Sequence, residues 1–208
     1  MAATGSSQMM VEFERVHTEL RKRWEGSLYY PSIDSLRIEA VTKYMCVFRD
    51  KDVVDIGCNA GLLTYVLAQY ARSYCGVETN EDYYKQALVT QKYITAQGIF
   101  VHSPLTRFIK HASGKYHYEY NAMFAANVLY HLSEKTLCMM QEVMLPKCDV
   151  VLCTSREDKL ERVGPRLFEH HNNLYHWCNI RSFLRTAGMK VEVRDKSSNW
   201  VSVVGWRR

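Results

Sequence analysis

The stretch "DVVDIGCNAGLLTYVLAQY", Asp52 to Tyr70, decides the fold. It opens on a β-branched apolar run that reads as a buried strand, turns through Gly57, Asn59 and Gly61, and continues as a helix without a breaker. Glycines at 57 and 61 let the backbone approach a ligand closely, and Asn59 tolerates a left-handed conformation better than most residues with a side chain. A dinucleotide fingerprint would read G-x-G-x-x-G, with a helix N-terminus aimed at a pyrophosphate. Here Asn59 and Leu62 stand where its later glycines would be, which argues against that ligand.

Outward from this stretch, strand-like and helix-like segments alternate. "SYCGVE", "GIFVHS", "YNAMFAANVL" and "CDVVLCTS" read as strands; "NEDYYKQALVTQKYITAQ", "PLTRFIKHA", "SEKTLCMMQEVML" and "NIRSFLRTAG" read as helices. The chain closes on "MKVEVRD" and "NWVSVVGWRR" around "KSSN", with no room for a crossover helix, so these two strands are expected to run antiparallel. The expectation is an α/β fold: one Rossmann-like domain, a seven-stranded mainly parallel sheet with a C-terminal antiparallel hairpin and helices on both faces. Before the first strand, "MVEFERVHTELRKRWEG" and "SLRIEAVTKYMCVFRDK" have helical spacing and are joined by "SLYYPSID". Residues 1–10 read as a loose tail and 11–208 as the domain, with helices in 11–50 covering one side of the site.

The 208 residues suffice for a proper core, and no apolar run approaches the roughly 20 residues that cross a bilayer, so no membrane segment is expected. The start lacks the basic and apolar regions of a signal peptide. Seven cysteines without a zinc-like pair suggest reduced thiols in a cytoplasmic or nuclear setting. With 27 Lys+Arg against 22 Asp+Glu, the net charge of +5 is compatible with RNA or phosphate but does not require either.

The turn resembles motif I of class I S-adenosylmethionine (SAM) methyltransferases, with Asp55 at the family's acidic position. "CGVETN" resembles motif II, whose acidic residue binds both ribose hydroxyls; Glu78 holds that place and Thr79 follows it. "GIFVHSPL" lies where adenine-edge residues fall, though the family's common Asp is absent and His102, Ser103 and Pro104 take its place. "FAANVLYHL" occupies motif IV. The resemblance implies SAM as cofactor and Asp55, Gly57, Cys58, Asn59, Gly61, Glu78, Thr79, Ser103 and Asn127 as its contacts.

Methyl transfer needs alignment of donor and acceptor, and a base only where the nucleophile must lose a proton. Tyr130 and His131, at the mouth of the fourth strand, are the catalytic candidates, His131 as a base or as a group orienting an acceptor oxygen. Cys58 and Cys153 sit at apolar strand ends and read as space-fillers. Motif IV lacks the Asn/Asp-Pro-Pro-Tyr/Phe of enzymes that methylate exocyclic base nitrogens.

The run from Asp34 to Thr64, with "DIGCNAGLLT", also resembles the RNA 5′-phosphate methyltransferases of the bicoid-interacting and methylphosphate-capping group. That resemblance makes Arg37 and the tyrosines Tyr29 and Tyr30 candidates to line the acceptor side. "NVLYHL" and "NNLYHW" are similar in layout to tRNA wobble-uridine-modifying methyltransferases. The small-RNA 3′-end 2′-O-methyltransferases hold Mg²⁺ with two Glu and two His. Here Asn127 and Tyr130 stand where the carboxylates would be, so no metal is expected. "EHHNNLYHW" places His171 and His176 as candidates over the acceptor pocket. Arginines 156, 162, 166, 181, 185, 207 and 208 with aromatic neighbours suit phosphate contact and base stacking, or simply a solvated face. The implied function is methyl transfer from SAM to an acceptor, with an RNA oxygen as the leading reading. The alternatives are a small-molecule acceptor and a methyltransferase-like binding subunit without chemistry.

Overall fold

The computed structural model describes residues 11, 13–19, 22, 43–112, 118–156, 177–195 and 200–207. Tyr29, Tyr30, Arg37, His171, His176 and the tail 1–10 lie outside them. The strands are β1 (Asp52–Ile56), β2 (Ser73–Glu78), β3 (Gln97–His102), β4 (Ala122–Ala126), β5 (Val150–Arg156), β6 (Lys190–Asp195) and β7 (Trp200–Trp206). The helices are α1 (Leu62–Leu67), α2 (Glu81–Gln91), α3 (Leu105–Ala112), α4 (Glu134–Met139) and α5 (Trp177–Thr186). One seven-stranded sheet has the order β3-β2-β1-β4-β5-β7-β6. The first five pair in parallel and β7 runs antiparallel to both β5 and β6, as the short last connection requires.

Alternation along each central strand divides the core in two. Val54, Ile56, Cys75, Val77, Met123 and Ala125 face α3, α4 and α5 through Phe108, Ile109, Leu137, Ile180 and Leu184. Val53, Tyr74, Phe100, Ala122, Phe124 and Leu152 face α1 and the helical residues Phe13 and Val16. Both faces are thus covered, as parallel strands require. No helix among the described residues is long and apolar enough to cross a membrane.

Three expected elements differ: the helix read over "NEDYYKQALVTQKYITAQ" ends at Gln91, with Gln97 already in β3, and the one read over "SEKTLCMMQEVML" passes into a π-helical turn at Met140–Met144. The third lies before β1: the spacing of "SLRIEAVTKYMCVFRDK" predicts a helix to Lys51, yet Met45–Phe48 form a single 3-10 turn, and Asp50 follows with φ 59°. Met45 and Phe48 are both fully buried, and sinking them while redirecting the chain into β1 takes a tight turn.

The chain changes strand order between β1 and β4, so a crevice opens at their carboxyl ends. At the opposite end, Arg72 pairs with Asp52 through both guanidinium and carboxylate edges and holds that carboxyl below its ordinary range. Charge there anchors the sheet away from the crevice.

Candidate functional site

The crevice is a cavity of about 660 Å³, within the range of small-molecule sites. Its floor is made by the turns after β1 and β4. Gly57 has φ 65°, and a Cβ there would lie 2.5 Å from Val128 Cγ2. The turn is closed by Gly57 and Cys58 N–H donating to Val77 O, at 2.9 and 3.2 Å. Asn59 takes the left-handed conformation that its side chain tolerates, φ 53°, and its Oδ1 accepts from Ala60 N–H at 2.7 Å.

Glu78 closes β2 and is 7% exposed. Its Oε1 accepts the N–H groups of Thr79 and Asn80, and Oε2 accepts that of Asn59, each at 2.8 Å. A carboxylate has about four lone-pair directions, so one, on Oε2, remains open. The same carboxylate ties the β1 turn to the β2 turn.

Two capped helix starts form the walls. Asn80 Oδ1 accepts from Asp82 and Tyr83 N–H, both at 3.0 Å, which brings Tyr83 to the cavity. Ser133 Oγ accepts from Thr136 N–H at 3.3 Å, and both residues line the opposite wall. Asn127 has φ 60°, and its N–H donates to Thr154 O at 2.8 Å as the chain leaves β4. The turn Leu129–His131 follows, with Tyr130 buried and His131 exposed at the mouth, their ring centroids 4.1 Å apart.

Of the expected residues, Gly57, Asn59, Glu78, Thr79, Ser103, Asn127, Tyr130 and His131 converge on this cavity. Three others do not line it. Gly61 starts α1 at φ 77°, and a Cβ there would meet Phe100 Cζ at 2.7 Å, so its bareness serves packing. Cys58 turns its thiol into the core, where burial first, then the Asp55 and Glu78 carboxylates, push it well above its ordinary pKa. Cys153 is pushed by burial to about 12, so both thiols stay protonated. Asp55 is 2% exposed beneath the turn, and its Oδ2 accepts from Thr64 Oγ1 at 2.5 Å. His102 also leaves the cavity: its ring stacks on Tyr84 and its Nε2 meets Thr79 O at 3.1 Å, whereas Pro104 lines the wall. Tyr83, Thr106, Val128, Ser133 and Thr136 line it without having been singled out from sequence. The capping patterns "NED" and "SEKT" carried the signal for the helix starts, but not which helix starts meet.

The Asp55–Thr64 pair gives a direct test. Thr64→Val leaves a buried carboxylate short of a donor, and a loss of about 1–3 kcal/mol is expected. Urea unfolding should show it, with Thr64→Ser close to wild type.

No protein-family model and no curated protein sequence matches the chain. Solved structures do resemble it. Magnesium protoporphyrin IX methyltransferase from Synechocystis PCC 6803 with bound S-adenosylhomocysteine (SAH) matches at TM-score 0.60 and 15% identity, over 93% of this chain and 100% of that one. A SAM-dependent methyltransferase from Archaeoglobus fulgidus matches at TM-score 0.61 and 14% identity, over 92% and 99%. The methyltransferase domain of bacterial CtHen1-CN matches at TM-score 0.60 and 20% identity, over 82% and 97%. The fold is that of SAM-dependent methyltransferases. At these identities the likeness is one of fold, and the chemistry rests on the cavity.

Proposed function

We propose that this chain is a SAM-dependent methyltransferase whose donor lies between Gly57, Glu78 and Asn127. The observation that carries the reading is Glu78: a buried carboxylate, closing the strand next to the glycine turn, with one acceptor direction left open towards a cavity of about 660 Å³. Asn127 adds a buried side-chain oxygen without a hydrogen-bond partner among the described residues. A cradle without a Cβ, a hydroxyl acceptor and an unsatisfied amide oxygen suit an adenosyl amino acid better than a phosphate, which would call for cations.

In this reading Glu78 and Thr79 hold the ribose, Ser103 and Pro104 border the adenine, and Gly57 with Asn127 receive the methionine end. When bound, the donor supplies an electrophilic methyl group. Tyr130 and His131 stand on the acceptor side, where Tyr130 shields the reacting centre from water and exposed His131 accepts or orients an acceptor proton. Glu78 offers the diol one open lone pair rather than a full pair of acceptors, because three backbone N–H groups occupy the rest.

The proposed acceptor is an oxygen of RNA. The net charge of +5 and the "DIGCNAGLLT" resemblance support it. A small-molecule acceptor is the second reading, favoured by a cavity wall that, among the described residues, has Glu78 as its charged group and no Lys or Arg. Incubation with methyl-tritiated SAM and total RNA is expected to label material that nuclease renders acid-soluble. Label in nuclease-indifferent small molecules would replace RNA by a metabolite. Measurable SAH binding without labelled product from either pool would leave a binding subunit. His131→Ala is expected to slow transfer while leaving SAH affinity unchanged.

A further inference from the structure

The two edges of the sheet are built differently. Edge strand β6 carries Lys190, Glu192, Arg194 and Asp195 and has an irregular register between Val193 and Asp195. Charges and bulges of this kind discourage pairing with a further strand. Edge strand β3, "QGIFVH", has no charge, no proline and an unbroken register with β2. Ile99 is 49% exposed on it, and Leu88 is 39% exposed on the neighbouring helix α2. These are two of three exposed large apolar side chains among the described residues.

Three contacts define the surface. Tyr84 of α2 stacks on His102 with ring centroids 5.3 Å apart, and Gln91 Nε2 donates to Gly98 O at 3.0 Å. Leu88 stands between Tyr84 and Gln91 on the same helix face, so it borders the middle of β3. Ser103 N–H donates to Glu78 O at 2.9 Å, which fixes the phase of the ladder. Odd-numbered residues turn their peptide groups to β2, and Gly98, Phe100 and His102 turn theirs to the open edge.

We propose that β3 pairs with β3 of a second copy of this chain, antiparallel about a two-fold axis at Phe100, joining the two sheets into one. The register follows from the phase. Phe100 exchanges both main-chain hydrogen bonds with the partner's Phe100, and His102 pairs with the partner's Gly98, which has no side chain to meet it. The Gly98 carbonyl has a second lone pair beyond the one Gln91 uses. Ile99 then lies opposite the partner's Val101 in the close, non-hydrogen-bonded position, a β-branched pair of the kind that stabilises sheets. A second copy is the occupant because the strand is uncharged and self-complementary: the two-fold brings no like charges of the two strands together, and both copies cover Ile99 and Leu88 at once. This inference is independent of the reading of the cavity.

Light scattering on the full chain across about 1–100 µM is expected to show a mass approaching twice 24.3 kDa as concentration rises. Ile99→Lys, at an exposed site, should leave the melting of the monomer intact and raise the dimer dissociation constant by at least about tenfold. The double variant Ile99→Cys, Val101→Cys should form a disulfide-linked dimer on mild oxidation. The wild type, with its exposed Cys46, Cys138 and Cys178, provides the control. A chain monomeric throughout the range, an unmoved equilibrium in Ile99→Lys, or no disulfide dimer beyond the wild-type background would each overturn the proposal.

Discussion

Glu78→Ala is expected to weaken SAM and SAH binding by about a hundredfold or more, the equivalent of roughly 2.7 kcal/mol. That is the scale of one or two hydrogen bonds to a charged group, and the change removes more than the ligand's own contact. The N–H groups of Asn59, Thr79 and Asn80 all lose their acceptor, so the β1 and β2 turns lose the carboxylate that ties them together. Glu78→Gln separates the two contributions. Its amide keeps the shape, but if its oxygen faces Thr79 and Asn80, its NH₂ meets the Asn59 N–H donor to donor. An intermediate loss of about tenfold is expected for it. Calorimetric titration with SAH measures both variants, and thermal melting reports the accompanying loss of stability. Wild-type affinity in Glu78→Ala would remove the basis of the proposed function.

The same residue shows what was legible in the sequence. Its place at the end of the second strand follows from a short, mostly apolar run, buried on both faces, and from the turn signal after it, and local pattern carries that information. The parallel order of the first five strands and the antiparallel return follow from connection lengths, which are equally local. What local pattern does not carry is occupancy. That three backbone groups take most of Glu78's lone pairs depends on how two turns, 19 residues apart, come together. Likewise Gly61 and Gly57 look alike in sequence, yet one packs on Phe100 and the other on Val128 at the cavity floor. His102 and Ser103 are neighbours, and strand alternation sends one out to Tyr84 and the other to the cavity. The 3-10 turn at Met45–Phe48 was hidden for a related reason. Its composition suits a helix, and the need to bury two large side chains while turning into β1 overrides that propensity.

Gly57→Ala tests the floor of the site, and its cost has two separable parts. At φ 65° an alanine sits in the left-handed region, which costs roughly 1–2 kcal/mol. The new methyl would also stand 2.5 Å from Val128 Cγ2, closer than any real contact, so the β4 turn must move. Overpacking of this kind adds about 1–3 kcal/mol. A total destabilisation of roughly 2–5 kcal/mol is expected in urea unfolding, together with loss of measurable SAH binding, because Asn127 adjoins the displaced residue. Val128→Ala removes the obstructing methyls and opens a small void of its own, costing about 1–2 kcal/mol alone. In the double variant most of the steric part should go, with only the Cβ of residue 128 left at 3.1 Å, and the backbone part remain, so the two losses should sum to clearly more than the double variant shows. Simple additivity would mean that Gly57 is needed for its backbone conformation alone. Recovery of SAH binding in the double variant would locate the requirement in the contact between the two turns.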